Sequence, residues 1–342
     1  MASNPQADAQ RTLASSPAAA PAPPRRPRKR RVRLARGPLV IGEPSLAVEP
    51  KLALGEPYRA DTVIDGGSVY GLTVRAASIR GLSKRWAGEP RQDDICLGRH
   101  EPTRALVAAV ADGVSGAARS QLGAALAVRQ AVGAVVRQLD RGEELDWQEV
   151  FNHATWALLD AHRAWSGDPN ADVNDAAATL ATTLLVAVVH APGDPSRARC
   201  SCSTPGNADG SQDAANGGVS RVQLACVGDS PALMLGRRHF YRLLGAQDDP
   251  HGLIGGAVDA LPRANASVCS ACCTLEQDHT LLLSTDGFSL PLAGGENEVG
   301  ALFARELARP PDIVDFARLL DFSRSTYDDD RSLIAIWPPG RP

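Results

Sequence analysis

The decamer AVADGVSGAA, residues 109–118, closes an apolar run on Asp112 and Gly113 and continues in small residues. The longer stretch TRALVAAVADG, residues 103–113, reads as a buried strand that stops on a carboxylate followed by a residue with no side chain. Such an ending can be an ordinary turn. It can also be a metal site, in which the strand end holds the carboxylate still and the glycine lets a ligand approach the backbone. The other acids of the chain bear on the choice.

Four further acidic positions share this placement. HTLLLSTDG, residues 279–287, is a second apolar strand ending on Asp286 and Gly287, and RQDD puts Asp93 and Asp94 just before the strand DICLG. Asp229 lies in the turn GDS between VQLACV and ALMLG, while Asp328, Asp329 and Asp330 open the closing strand DDDRSLIAIW. Each alone reads as a turn or a solvated edge. Together they fit one rim of a sheet sandwich, where strand ends converge and crowded carboxylates must take up protons or cations. Hard oxygen ligands without matching His or Cys point to Mg²⁺ or Mn²⁺. Two such ions ~3.5–4 Å apart can bridge a water, lower its pKa and clamp a phosphoryl group.

The elements between these acids set the fold class. LTVRAASI (72–79) reads as a strand. Residues 119–139 and 147–165 carry apolar side chains at helical spacing, as amphipathic helices that cover a sheet. TLATTLLVAVVH (179–190) reads as a buried strand, 191–220 as a low-complexity loop insertion, and HFYRLL as a hairpin partner of ALMLG. Residues 244–265 form a long loop, a flap candidate, and two helices are expected near 296–308 and 311–324. This order suits an α+β fold of antiparallel sheets with helices packed outside, and not an alternating doubly wound one.

Composition restricts the function classes. Residues 1–37 hold nine Lys or Arg against one acid, Asp8, while the whole chain carries −3, which leaves −11 for the rest. An acidic body is a poor nucleic-acid binder and a reasonable host for divalent cations. Residues 1–50, rich in Ala, Pro and Arg, read as a disordered tail that could touch an acidic partner, nucleic acid or a membrane surface. The seven cysteines are odd in number and poorly spaced for zinc, and read as reduced thiols. No run approaches the ~18 apolar residues of a membrane span. The N-terminal stretch lacks the pattern of a signal peptide, so the expected location is cytoplasmic.

The ordered set RQDD, VADGVSG, ATT, VGDS, STDG and DDDRS resembles the metal-dependent serine/threonine phosphatases of the phosphatase 2C type. The text around it, RAASIRGLSKRWAGEPRQDD and STDGFSLPL, is similar to the actinobacterial branch. The resemblance runs over roughly residues 70–338 of a domain taken as 51–342. It implies a four-layer α-β-β-α sandwich of two antiparallel sheets flanked by helices, with two Mn²⁺ or Mg²⁺ ions at the rim. It also implies that a metal-bridging hydroxide hydrolyses phosphoserine or phosphothreonine in a protein phosphorylated by a serine/threonine kinase.

Carried over by motif, Asp112 bridges both ions and Gly113 offers a backbone carbonyl. Asp286 and Asp329 ligate the other ion, Asp93 supports, and Asp229 joins Asp286 at a third, weaker ion. Gln92 takes the place of the family's Glu, and Asp330 that of its closing Asn. With Asp94, these two stand behind the ligands. Thr182 and Thr183 match the buried TT strand. Many members carry an Arg a few residues before the acid pair to grip the substrate phosphate. Gly88 stands at that position here, which leaves Arg85 and Arg91 as the nearby candidates. The missing Arg and the Gln at 92 motivate an alternative, a regulator on the same fold that binds a phosphoprotein without turning it over. A second alternative is a nucleic-acid or membrane tether driven by the Arg-rich tail.

Overall fold

The structure, a computed structural model, describes residues 38–53, 60–192, 219–245, 259–263 and 267–340. Its first half runs β1 (Leu39–Val40), β2 (Thr62–Val69), β3 (Leu72–Ile79), α1 (Leu82–Ala87), β4 (Asp94–His100) and β5 (Ala105–Ala111). The helices α2 (Ser120–Arg141), α3 (Trp147–Ser166) and α4 (Val173–Leu180) follow, then β6 (Leu184–His190). The second half runs β7 (Ser220–Val227), β8 (Ala232–Gly236), β9 (His239–Leu244), β10 (Cys269–Leu275) and β11 (His279–Ser284). It closes with α5 (Asp286–Ser289), α6 (Glu298–Glu306), α7 (Ile313–Leu320), β12 (Phe322–Ser323) and β13 (Arg331–Trp337).

Two antiparallel sheets result, one of five strands in the order β10-β7-β6-β5-β4 and one of six in the order β2-β3-β13-β11-β8-β9. The continuous apolar run of β5 has a direct cause: both of its faces are covered. Leu106, Ala108 and Val110 meet Leu281, Leu283, Ile334 and Ile336 between the sheets. Val107 and Ala109 face Val128 and Val135 of α2 and Phe151 of α3. On the far side Leu282, Leu333 and Trp337 pack on Phe303 of α6 and Phe316 of α7. Each buried Leu, Val or Phe contributes roughly 1.5–3 kcal/mol. The architecture is the expected α-β-β-α sandwich.

Helix starts follow from local chemistry. Asp146 caps α3 by accepting the Glu149 N–H, and Asp172 and Asp175 form a reciprocal box at the start of α4. Asn297 caps α6 through the Gly300 N–H.

Several expectations need correction. Residues 179–190 are not one strand: Leu180 ends α4, Thr182 makes an isolated bridge to Gly113, and β6 starts at Leu184. The capping box at Asp172 starts a helix whose last residues, Thr179 and Leu180, fall in the stretch that local pattern reads as strand. Asp286 begins the short α5 rather than ending β11, and the three closing acids precede β13. Residues 38–50 are not all tail, because β1 pairs with β12 and Ile41 is buried. The rest of that tail, most of the 191–220 insertion and most of the 244–265 loop lie outside the described residues. Cys96, Cys226, Cys269 and Cys273 are free thiols, but Cys272 is disulfide-bonded, which corrects the reading of uniformly reduced cysteines. No helix among the described residues is long and apolar enough to cross a membrane.

Candidate metal centre

The centre starts from the end of β5. Thr183 N–H donates to the Asp112 carbonyl at 2.8 Å, Thr182 Oγ1 donates to the same carbonyl at 2.9 Å, and Asp112 N–H donates to Thr183 Oγ1 at 3.0 Å. The two threonines therefore fix the backbone that carries the carboxylate. Gly113 is required by its surroundings: a Cβ there would lie 2.8 Å from the Gln92 carbonyl and 2.8 Å from Ser120 Cβ. The Asp-Gly pair at 112–113 is thus a close approach between the start of α2 and the segment leading into β4, and not a solvent turn.

The second Asp-Gly pair is built the same way. A Cβ on Gly287 would lie 2.0 Å from the Asp330 carbonyl and 3.5 Å from Asp329 Cβ. Its absence lets the start of α5 lie flat against the closing acids, which draws Asp286 and Asp329 together.

Asp93, just before β4 of the five-stranded sheet, is held by side chains of the six-stranded one. Thr285 Oγ1 donates to its Oδ2 at 2.8 Å, and Ser332 Oγ lies 2.9 Å from the same oxygen. Ser332 Oγ is also 2.6 Å from Ser78 Oγ, and Arg91 Nη1 donates to Ser78 Oγ. A hydroxyl has one hydrogen to give. With Arg91 as the donor at one end and a carboxylate at the other, the chain runs from Arg91 through Ser78 and Ser332 to Asp93. Arg91 Nη1 also donates to the Asp93 carbonyl at 2.5 Å.

The electrostatics are those of crowded acids. Burial pushes the Asp93 carboxyl well above its ordinary range, and the charges of Asp330 and Asp329 push it further, against the Thr285 and Ser332 hydrogen bonds. Asp112 is raised by burial and then by Asp93, Asp286 and Asp329. Asp286 is raised by burial, with Asp229 and Asp329 adding to it, while its hydrogen bond with Asp112 pulls the other way. Asp112 and Asp286 share that hydrogen bond, so without a cation one of the two must hold a proton. Asp330 is raised to about 6 by burial, opposed by the Gln92 and Gly81 N–H groups.

The fold therefore brings Asp93, Asp112, Asp286, Asp329, Asp229 and Asp330 into one interacting group, with Gly113 and Gln92 beside it. Asp329 is exposed, which leaves the group open to solvent. The donor set is all oxygen, and the charges acting most strongly on Asp93 and Asp112 are those of other carboxylates. That set fits hard divalent cations.

Three predicted residues have other partners. Asp94 pairs with Arg91, Nη1 to Oδ1 at 3.6 Å. Arg85, a phosphate candidate, is committed to Asp61 at 2.9 Å and Asp321 at 2.8 Å. Arg91, the other candidate, is buried at 1% exposure beneath Asp93. Neither arginine presents a guanidinium to a substrate phosphate, because each already serves as an internal tie. Thr285, Ser332, Ser78 and Gly81 were missed. Their one signal in the sequence is adjacency: Thr285 precedes Asp286, and Ser332 follows the closing acids by one residue.

Residues 80–197 match the family described as protein phosphatase 2C. No curated protein sequence matches the chain. Among solved structures, a phosphatase from Toxoplasma gondii aligns over 81% of this chain and 95% of its own, at 16% identity and a TM-score of 0.51. The serine/threonine phosphatase of S. agalactiae aligns over 78% and 99% at 13% identity and 0.49. A PPM Ser-Thr phosphatase from Mycobacterium smegmatis, solved with cacodylate, aligns over 80% and 100% at 15% identity and 0.48. The sandwich is similar in fold to the Toxoplasma gondii phosphatase, and residues 80–197 carry the likeness to protein phosphatase 2C.

Proposed function

We propose that the protein is a Mn²⁺- or Mg²⁺-dependent phosphatase acting on phosphoserine or phosphothreonine in proteins. The observation that carries this reading is the convergence of Asp93, Asp112, Asp286 and Asp329 at one rim, each of the first three raised by burial and by its neighbours' charge. Asp112, the Gly113 carbonyl, Asp286 and Asp329 would hold two ions with Asp93 in support, and Asp229 with Asp286 a third. When bound, such ions supply positive charge and a water acidic enough to act as a nucleophile at neutral pH.

The chain's own residues do the rest. Thr182 and Thr183 fix the Asp112 backbone, which sets the point from which its carboxylate reaches the other acids. Thr285 and Ser332 orient Asp93, and Asp330 holds the Gln92 backbone in place. The phosphate ester would be met at the open side of the rim, where Asp329 is exposed.

The test is phosphate release from a phosphothreonine peptide with Mn²⁺, with Mg²⁺ and with EDTA, for the wild type and Asp112→Asn. Release that requires metal and is lost in the variant supports the reading. Full activity of Asp112→Asn would sink it. The internal commitment of Arg85 and Arg91 favours one second reading, a phosphoprotein-binding regulator with little turnover. A folded protein that binds Mn²⁺ and the phosphopeptide yet releases no phosphate would select that reading instead.

A further inference from the structure

β7 and β10 are antiparallel neighbours, and their register sets Cys226 directly opposite Cys269. Val222, Leu224 and Cys226 line the space between the sheets, so their partners Cys273, Ala271 and Cys269 share that face. Both opposed thiols are free. Cys272 points to the other face and is already disulfide-bonded. Cys273 stands opposite Val222, four residues along β10, which at ~3.3 Å per residue is roughly 13 Å from the Cys226 pairing position. The register thus gives Cys226 one partner.

Directly opposed antiparallel residues have Cα atoms ~4.5–5.5 Å apart, within the ~4.4–6.8 Å a disulfide spans. The paired positions therefore meet the Cα separation that a disulfide requires. Access is present as well. The two cysteines line a cavity of about 450 Å³ together with Gly228, Leu244 and Asp259, and Cys269 is exposed while Cys226 is 2% exposed.

We propose that Cys226 and Cys269 form a modification site, converted by a two-electron oxidant of the peroxide class into a cross-strand disulfide. The Cys269 sulfur attacks hydrogen peroxide, the O–O bond breaks, one water leaves, and Cys269 becomes a sulfenic acid. The Cys226 sulfur then attacks the Cys269 sulfur, the S–O bond breaks and a second water leaves. Two thiols are oxidised, one peroxide is reduced, and both thiol protons end in water. Burial pushes the Cys226 thiol up to about 12, so the exposed Cys269 meets the oxidant first, and Cys226 follows because the register holds it directly opposite. The bond would brace β7 three residues before Asp229.

The test treats the full chain with hydrogen peroxide, then alkylates in denaturant and maps the peptides by mass. The expected result is one peptide pair joined through Cys226 and Cys269, loss of both from the alkylated pool, and their return with dithiothreitol. In Cys269→Ser, Cys226 should remain alkylatable after peroxide. Cys226 still reduced in peroxide-treated wild type while Cys269 has advanced to a sulfinic acid would overturn the proposal. So would Cys226 joined to any other cysteine. The readout is a mass, and it stands whether or not the rim hydrolyses phosphate.

Discussion

Asp330 accepts the backbone N–H of Gln92 at 2.6 Å, so the last acidic motif of the chain holds the first in place. Its other oxygen accepts the Gly81 N–H at 2.7 Å. An asparagine keeps one acceptor of the two and an alanine keeps neither. Each buried N–H left without a partner costs about 1–3 kcal/mol. Asp330→Ala should therefore unfold at clearly lower urea than Asp330→Asn, and both at lower urea than the wild type. Equal midpoints for the three proteins would show that the tie carries no weight.

Removing one charge from the rim should separate stability from metal binding. Asp112→Asn relieves repulsion with Asp93, Asp286 and Asp329, so the metal-free variant should melt at or above the wild type. Mn²⁺ at a hundred times its Kd should stabilise the wild type by about 2.7 kcal/mol per site, and the variant by far less. Thermal melts with Mn²⁺ and with EDTA read both effects.

Arg85 offers a direct check on its assignment as an internal tie. Burial disfavours its charge, but the Asp61 and Asp321 hydrogen bonds outweigh this and raise its pKa. Both carboxylates are more than a third exposed, so solvent screening limits the loss in Arg85→Ala to about 1 kcal/mol. Turnover of a phosphopeptide should be unchanged once the variant is folded. A large rise in KM would restore Arg85 as a phosphate ligand.

Gly287→Ala tests the close approach at α5. The added Cβ would lie 2.0 Å from a backbone carbonyl, which has no rotamer to escape into. Overpacking of this kind costs typically ~1–3 kcal/mol. Mn²⁺ affinity, measured by calorimetry on the folded fraction, should fall with stability, because the displaced segment carries Asp286.

His190 sets a pH dependence away from the rim. Burial lowers its pKa below 6.5, against hydrogen bonds it makes to Gln223 and the Thr103 backbone, with Arg221 and His100 nearby lowering it further. The unfolded chain then binds the proton more readily than the folded one. Its contribution is whole above about pH 6.5 and is lost as the pH falls below that value. Urea midpoints on either side of it should differ less in His190→Gln than in the wild type.

The sequence was most readable where one residue's placement depends on its immediate neighbours. β3 spans 72–79 as its alternation predicts, and α2 and α3 fall where the apolar spacing puts them. The acids of the rim stood out because each lies beside a strand end or in the turn between two strands. What stayed hidden depends on residues distant in the chain. Nothing local to Arg85 announces Asp321, 236 residues on, as its partner. Ser332 and Thr285 became supports of Asp93 only through the pairing of β13 with β3 and β11. Exposure misleads in the same way: β2 alternates weakly because it is an edge strand, and its Asp-Gly-Gly hides it.

The position of β13 bears on how the molecule comes into being. It is the last strand in sequence, yet it lies in the middle of the six-stranded sheet, between β3 and β11. Until residues 331–337 leave the ribosome, β3 and β11 each lack a neighbour, and their edges are open to association with other chains. Pairs such as Ser332 with Ser78 close very long loops, a topology that folds slowly. The rim is completed by the same event, so capture of Mn²⁺ on the nascent or refolding chain should lag hydrophobic collapse and report the final docking of the sheet.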